Sequence, residues 1–328
     1  MQECRFEDRE AGVNPNGTPS VSVIIPTKNR LDDLTKTVES LVLQSVLPVE
    51  LIVVDQSESP EARDRIESKL MQNGSGGDSR ISLRYIYDPK IPGGAVARNR
   101  AMEVASSDVW LFLDDDVELE PRFVEELLKL YVNRASATGV SGVVTNYPIP
   151  PFFARFWAAI FRRGPFHDER QRIYWQANSL RESDPIRVSK FGGGLMSFRA
   201  SAIRHVRFDE NLRGVSDGED VDFCARLDRG AELWMTPKAR LIHKESTAGR
   251  RRDHWLRRDA RSAYFHYWKN WNRGIKNRLC FLWLNAGYGL VATLGCLRAG
   301  SLRPWQAALE GAREGRAVVT AAERMNSR

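Results

Sequence analysis

Three adjacent carboxylates, Asp114, Asp115 and Asp116, close the apolar run Val109-Trp110-Leu111-Phe112-Leu113. That is how a buried strand looks when it stops at a polar rim. Such carboxylates repel one another, so a fold that keeps them must offset their charge. A hard divalent cation with oxygen ligands, Mg²⁺ or Mn²⁺, does this. The alternative is a solvated acidic loop after an ordinary strand. A second acidic group stands in Gly218-Glu219-Asp220-Val221-Asp222. Val221, Cys224, Ala225 and Leu227 follow at the spacing of one buried helix face, with Glu219, Asp220 and Asp222 gathered at the helix start. Acids there complement the helix dipole. A carboxylate held at such a point in a cleft is also a general base. His243 ends the apolar run from Ala239 and is either a structural residue or a metal ligand. The triplet Gly192-Gly193-Gly194 lets a backbone approach something closely.

These groups need elements to position them. Val21-Ser22-Val23-Ile24-Ile25, closed by Pro26, predicts a first strand, and Leu31, Leu34, Val38 and Leu41 predict a helix after it. Glu50 to Asp55 and Ile81 to Tyr87 predict two more strands, with a polar helix between them. A helix over Ala95–Ala105 carries Arg98, Asn99 and Arg100. The run into Asp114 is the fourth strand, a helix through Phe123, Leu127 and Tyr131 follows Pro121, and Gly139–Asn146 is a fifth strand. Leu233–Met235 and Ala239–His243 read as two short strands. Strands alternating with helices predict an α/β fold with a mostly parallel sheet flanked by helices. Ligands of such sheets sit outside the carboxyl ends of the strands. Thr27, Asn29, Arg30, Asp55 and Asp114 to Asp116 then share one rim. Strand ends carry polar residues anyway, but that explains all three clusters less easily.

The chain has 328 residues, 42% hydrophobic and 28% charged, a globular composition with a formal net charge of +7. From Arg240 to Cys280 there are 12 Lys or Arg against three acids, a basic field suited to phosphates, nucleic acid or anionic lipid. Four cysteines without a CxxC pair argue against a zinc site or disulfide framework and for a reducing compartment. No secretory signal is legible in the polar stretch Met1–Pro19.

Taken together, Val21–Arg30, Val53-Val54-Asp55, Gly93-Gly94-Ala95-Val96-Ala97-Arg98-Asn99, Leu113–Asp116 and Gly218–Asp222 resemble a family 2 glycosyltransferase, from about Val21 to Lys244. The resemblance implies a Rossmann-like catalytic domain of the A-type glycosyltransferase fold, with a helical C-terminal extension. It implies an inverting hexosyl- or deoxyhexosyltransferase using a nucleotide-diphospho-sugar donor and Mg²⁺ or Mn²⁺. Thr27, Asn29, Arg30, Asp55, Arg98, Asp114 and Asp115 would bind the donor nucleotide. Asp116 and His243 would hold the metal, and Asp220 would be the base. Gly193, Gly194, Glu219 and Asp222 would border the sugar and acceptor. Gln56 stands where many relatives carry a small or acidic residue.

Other readings fit less well. The turn after the first strand has no glycine, which argues against both a GxGxxG dinucleotide fold and a sugar-1-phosphate nucleotidyltransferase, and no GxxxxGK[ST] loop occurs. A basic module for nucleic acid or membrane leaves the carboxylate rim unexplained. The expected organisation is a tail over 1–19, a catalytic domain over 20–248 with an insertion at about 148–189, and a basic helical region over 249–328. Leu279–Leu297 is an uncharged stretch of 19 residues, near the length of a membrane helix. Its alternatives are a buried helix or one lying on a membrane. Phe152, Phe153, Phe156, Trp157, Ile160 and Phe161 recur at helical spacing beside Arg155, Arg162 and Arg163, which suits either core packing or a membrane surface. With the basic, Trp-rich segment upstream, these stretches predict a cytoplasmic enzyme on the inner face of the cell membrane. It would serve polysaccharide or glycolipid assembly, with a saccharide or lipid-linked acceptor, an anionic membrane surface as partner and no nucleic acid.

Overall fold

The computed structural model describes residues 17–72, 81–171, 173, 184–192, 194–212, 218–244 and 255–326. The continuous apolar runs of the first half become the middle of one sheet. Strands β1 (Val21–Thr27), β2 (Glu50–Asp55), β3 (Ser82–Tyr87) and β4 (Val109–Leu113) lie parallel in the order β3-β2-β1-β4. Helices α1 (Leu31–Val42), α2 (Ala62–Gln72) and α3 (Gly94–Val104) make the crossovers. β2 and β4 are buried throughout, as central parallel strands are, whereas β3 at the edge is only part-buried. β1 runs one residue past Pro26 instead of stopping before it. Its pairing with β4 ends at Ile24–Phe112, so the missing N–H of Pro26 falls where only β2 remains alongside.

After β4 the parallel order breaks. Strand β5 (Val117–Leu119), helix α4 (Phe123–Asn133) and strand β6 (Ala137–Val144) follow, then α5 (Phe152–Phe161), β7 (Ile186–Val188), β8 (Leu195–Arg199), α6 (Ala200–Ile203), α7 (Glu219–Ala225) and β9 (Glu232–His243). β8 inserts antiparallel between β4 and β6, β9 runs parallel to β6, and β5 and β7 pair antiparallel with β9. The nine-stranded sheet is thus mixed beyond its parallel half. The two short strands expected near Trp234 and Leu241 are one strand, β9. Its register against β6 shifts between Ser141 and Val143, opposite the stretch holding Pro237, which has no N–H to give.

Two buried clusters cover the sheet faces. One joins Val23, Leu34 and Val53 to Phe123 and Tyr131; the other joins Ile24 and Phe112 to Phe198, Phe208 and Phe223. Helices α8 (Trp255–Lys269), α9 (Ile275–Ala299) and α10 (Arg303–Asn326) complete the chain. They build a third cluster with Phe166, Tyr267, Phe281 and Leu284. α10 lies so close on α8 that a methyl group at Gly311 or Gly315 would meet the carbonyl oxygens of Arg257 and Arg261. In α9, Phe281, Leu284, Tyr288 and Ala292 are buried on one side. Ile275, Leu279, Leu282, Leu290, Leu294 and Leu297 are exposed.

Candidate active site

The parallel strands bring the rim together. Thr27 and Asp55 are register partners at the ends of β1 and β2, and the acidic triplet leaves the end of β4 on the other side of β1. Thr27 donates its hydroxyl to Asp115 Oδ2 at 2.7 Å, and Arg30 Nη1 reaches Asp115 Oδ1 at 3.1 Å and Asp116 Oδ2 at 3.5 Å. Burial pushes the Asp115 carboxyl up to about 6, against the pull of Thr27 and Arg30. Asp55 is fully buried and accepts from Ser57 N at 2.8 Å and from the Tyr85 hydroxyl. Asn29, in the left-handed region at φ 55°, accepts from Glu58 N at 3.1 Å and fixes the turn.

The charge of the triplet is offset by two guanidinium groups. Besides Arg30, Arg98 sits between Asp114 Oδ1 at 3.3 Å and Glu219 Oε1 at 3.0 Å, and it is buried. It therefore ties the triplet to the start of α7. Burial raises both Glu219 and the adjacent Asp220 above the ordinary carboxylate range, with Arg98 opposing at Glu219 and Arg170 at Asp220. Asp222 points the other way: it is fully buried, 2.8 Å from Arg226 and 2.7 Å from Lys269.

His243 reaches the triplet because β5, which leaves Asp116 directly, pairs with the end of β9, Val117 opposite His243. Asn146 brackets the His243 backbone with two hydrogen bonds, at 3.0 Å and 2.7 Å. His243 Nε2 lies 2.9 Å from Asp116 Oδ1 and 4.0 Å from Asp114 Oδ2. One ligand atom each of Asp114, Asp116 and His243 falls within 4.8 Å of the others. Two carboxylates and an imidazole at that separation fit a divalent cation such as Mn²⁺. His243 Nδ1 faces the Tyr147 hydroxyl at 3.4 Å, which leaves Nε2 for the metal side. Gly194 is needed here: a methyl group on it would stand 2.7 Å from Asp114 Oδ2. Gly193 lies outside the described residues.

The structure therefore gathers Thr27, Arg30, Asp114, Asp115, Asp116 and His243, and joins Glu219 to them through Arg98. Tyr85 donates to Asp55 and Tyr147 faces His243, while Lys269 pairs with Asp222 and the charge of Arg170 reaches Asp220; none of the four carries a motif that would have singled it out. β8 also escaped the sequence reading, because its five residues follow the glycine triplet without a turn signal of their own.

Residues 22–200 match the family model described as Glycosyl transferase family 2. The chain is 34% identical over 127 residues to the putative teichuronic acid biosynthesis glycosyltransferase TuaG of Bacillus subtilis, covering 39% of this chain and 48% of that protein. It is 29% identical over 242 residues to the pre-mycofactocin glycosyltransferase of Mycobacterium tuberculosis, covering 73% and 45%. The chain thus spans about half the length of these two curated relatives. Among solved structures, the mannosyltransferase PcManGT from Pyrobaculum calidifontis in complex with GDP-Man and Mn²⁺ superposes with a TM-score of 0.56. That match is 16% identical and covers 97% of this chain and 90% of that one, a likeness of fold.

Proposed function

This chain belongs to glycosyl transferase family 2, and from that premise we propose that it moves a sugar from a nucleotide-diphospho-sugar to an acceptor with inversion, in the assembly of a polysaccharide or glycoconjugate. The observation that carries the reading is the meeting of Asp114, Asp116 and His243 at the strand-end rim. These three would hold a divalent cation, whose bound charge would offset that of the departing diphosphate. Thr27, Asn29, Arg30 and Asp55 line the nucleotide side, with Asp115 held by Thr27 and Arg30. Arg98 keeps Asp114 in register with α7. Asp220 takes the acceptor proton, and its raised pKa makes it a stronger base than an exposed carboxylate. Glu219 and Asp222 act on the acceptor side by fixing the helix that carries Asp220, through Arg98 and through Lys269 with Arg226. The catalytic unit spans 20–248, with 249–328 as its C-terminal extension.

The extension and α5 suit a membrane surface. α9 is long and apolar enough to cross a bilayer by length and composition, with 28% of its most apolar window buried. Trp157 Nε1 donates to Gly287 O at 3.1 Å and Trp283 Nε1 to Ile160 O at 2.9 Å, so α5 and α9 form one unit. Phe152, Phe153 and Phe156 are exposed on α5, as Leu279, Leu282, Leu290 and Leu294 are on α9, with Arg155, Lys276 and Arg278 nearby in the chain. An anionic leaflet complements this charge, and the chain would lie on the cytoplasmic face. The proposal of transfer is tested by following nucleoside diphosphate release from a panel of nucleotide sugars with Mn²⁺. Asp220→Asn should lower kcat far more than it weakens donor binding. Near-normal kcat in that variant would place the base elsewhere.

A further inference from the structure

Two chain segments are stacked on the helix that carries Asp220. Phe191 N donates to Cys224 Sγ at 3.4 Å, so the stretch leading into the glycine triplet lies on α7 one turn beyond Asp220, on the same helix face. Residues 167–170 are fastened to that stretch in turn. Lys190 Nζ donates to His167 O at 3.2 Å, and Ser189 Oγ to Glu169 Oε2 at 3.0 Å. Arg170 completes the cluster. Its Nη1 is 3.3 Å from where a methyl group on Gly192 would stand. It also shares the wall of a cavity of about 160 Å³ with Val221, the residue after Asp220.

Arg170 is clamped in that place. Its Nε donates to Asp168 Oδ1 and its Nη2 to Oδ2, both at 2.8 Å, the forked pairing of a guanidinium with a carboxylate. The Arg170 backbone N–H adds a third bond to Oδ1 at 3.2 Å. Burial would raise the Asp168 carboxyl, yet the guanidinium pulls it well below the usual range, so the clamp stays ionised. The clamp uses Nε and Nη2 and leaves Nη1 on the Gly192 side. Among the charges around Asp220, that of Arg170 acts most strongly against the burial that raises its carboxyl, ahead of Arg98 on α3. Arg98 is already shared between Asp114 and Glu219. Glu219 is the acidic neighbour on α7 itself. The Cys224 thiol, reached by the charges of Arg170 and Lys190, is pushed up to about 12 by burial and stays neutral. On α8, His266 faces Gly218 and is pushed down to about 3, first by burial, so it is neutral too.

We infer that Asp168 and Arg170 form a positioning device for the base: Asp168 holds the guanidinium over Gly192, and from there its charge keeps the Asp220 carboxylate ionised and in place. This rests on the transferase reading above, with Asp220 as base, and adds to it two residues that touch neither nucleotide nor metal. A guanidinium suits the task because it is charged at every working pH, and its planar fork is fixed by one bidentate partner. A lysine at the same point would supply the charge without the fixed direction.

The test reads Asp220 directly, in the full chain without substrate. The carboxyl ¹³C signals of aspartate-labelled protein are followed against pH, and the Asp220 signal is the one lost in Asp220→Asn. In Arg170→Met the Asp220 carboxyl should titrate about one pH unit higher, the effect of removing one nearby opposite charge. Arg170→Lys should keep most of the native value. Asp168→Asn/Arg170→Met leaves no unpaired Asp168 carboxylate behind and should move Asp220 in the same direction. With a donor that turns over, the acidic limb of kcat should move to higher pH in Arg170→Met by the same amount, with little change in the KM for donor. UDP or GDP binding with Mn²⁺, retained in each variant, shows that it is folded. A pair with a merely structural role would lower stability and leave the Asp220 titration where it is. An Asp220 carboxyl that titrates as in the native chain in both folded variants lacking Arg170 would overturn the inference. The transferase reading is judged separately: loss of kcat in Asp220→Asn, with an unmoved titration in Arg170→Met, condemns only the positioning role.

Discussion

Lys269 Nζ lies 2.7 Å from Asp222 Oδ1, so the last residue of α8 reaches into the helix that carries Asp220. The same ammonium pairs with Asp209. Asp222 has no exposed side-chain surface, and Arg226 is its other partner. The C-terminal extension is thereby fastened to the proposed base helix by charge. A second contact supports this: Gly218, at φ 115°, begins α7 so close to His266 that a methyl group there would stand 2.9 Å from its Nε2.

Lys269→Met should therefore act on both stability and turnover. It leaves a buried carboxylate with one partner instead of two, and breaking a buried pair costs on the order of 3 kcal/mol. Urea unfolding should show that loss, and kcat should fall more than the affinity for nucleotide with Mn²⁺. Unchanged kcat in the folded variant would show that α7 keeps its place without α8.

Gly194→Ala addresses the metal site without touching a ligand. The added carbon would stand 2.7 Å from Asp114 Oδ2, so the carboxylate must move. Mn²⁺ affinity, read by nucleotide-dependent thermal shift, should drop about 10–100-fold, as when a group that orients a ligand is lost. Asp116→Ala should lose more. Native Mn²⁺ affinity in Gly194→Ala would remove Asp114 from the ligand set.

The parallel half of the sheet and its rim were legible because β1, β2 and β4 are short buried runs that each end in polar residues, a local pattern. The pairing of β5 with β9 was not, since three residues of β5 carry too little signal, and only that pairing explains why His243 returns to Asp116. The aromatic face of α5 was legible as amphipathic, but its division was not. Trp157 and Phe161 turn to α9 while Phe152 and Phe153 remain outside, and which side a helix buries depends on a partner more than a hundred residues away. Arg30 and Arg98 stood out as nucleotide contacts, yet their ion pairs with the triplet depend on geometry that spacing does not encode.

His266 makes stability pH-dependent. Burial first, then the charges of Lys190 and Lys269, push its imidazole down to about 3 from an ordinary 6.5. The unfolded chain takes up a proton near 6.5 and the folded chain does not, so stability is full above that value and falls as the pH drops towards 3. The loss at pH 5 is about 2 kcal/mol from this residue. His266→Gln should flatten the difference between pH 8 and pH 5 in urea unfolding. An equal pH dependence in the two proteins would mean that His266 is protonated in the folded state.

Membrane binding should depend on α5 and α9 acting together. Phe152 and Phe153 are 70% and 81% exposed, so replacing them with serine removes no core contact. Each phenylalanine inserted into lipid contributes about 1.5 kcal/mol, roughly a tenfold change in partition. Phe152→Ser/Phe153→Ser should therefore lose most of its binding to phosphatidylglycerol vesicles in sedimentation, while binding nucleotide and Mn²⁺ as before. Raising the salt should weaken the full chain's binding only in part, because the basic side chains add a screened attraction to an apolar one. Binding abolished by salt alone, with no effect of the serine pair, would leave the apolar face of α5 without a role at the membrane.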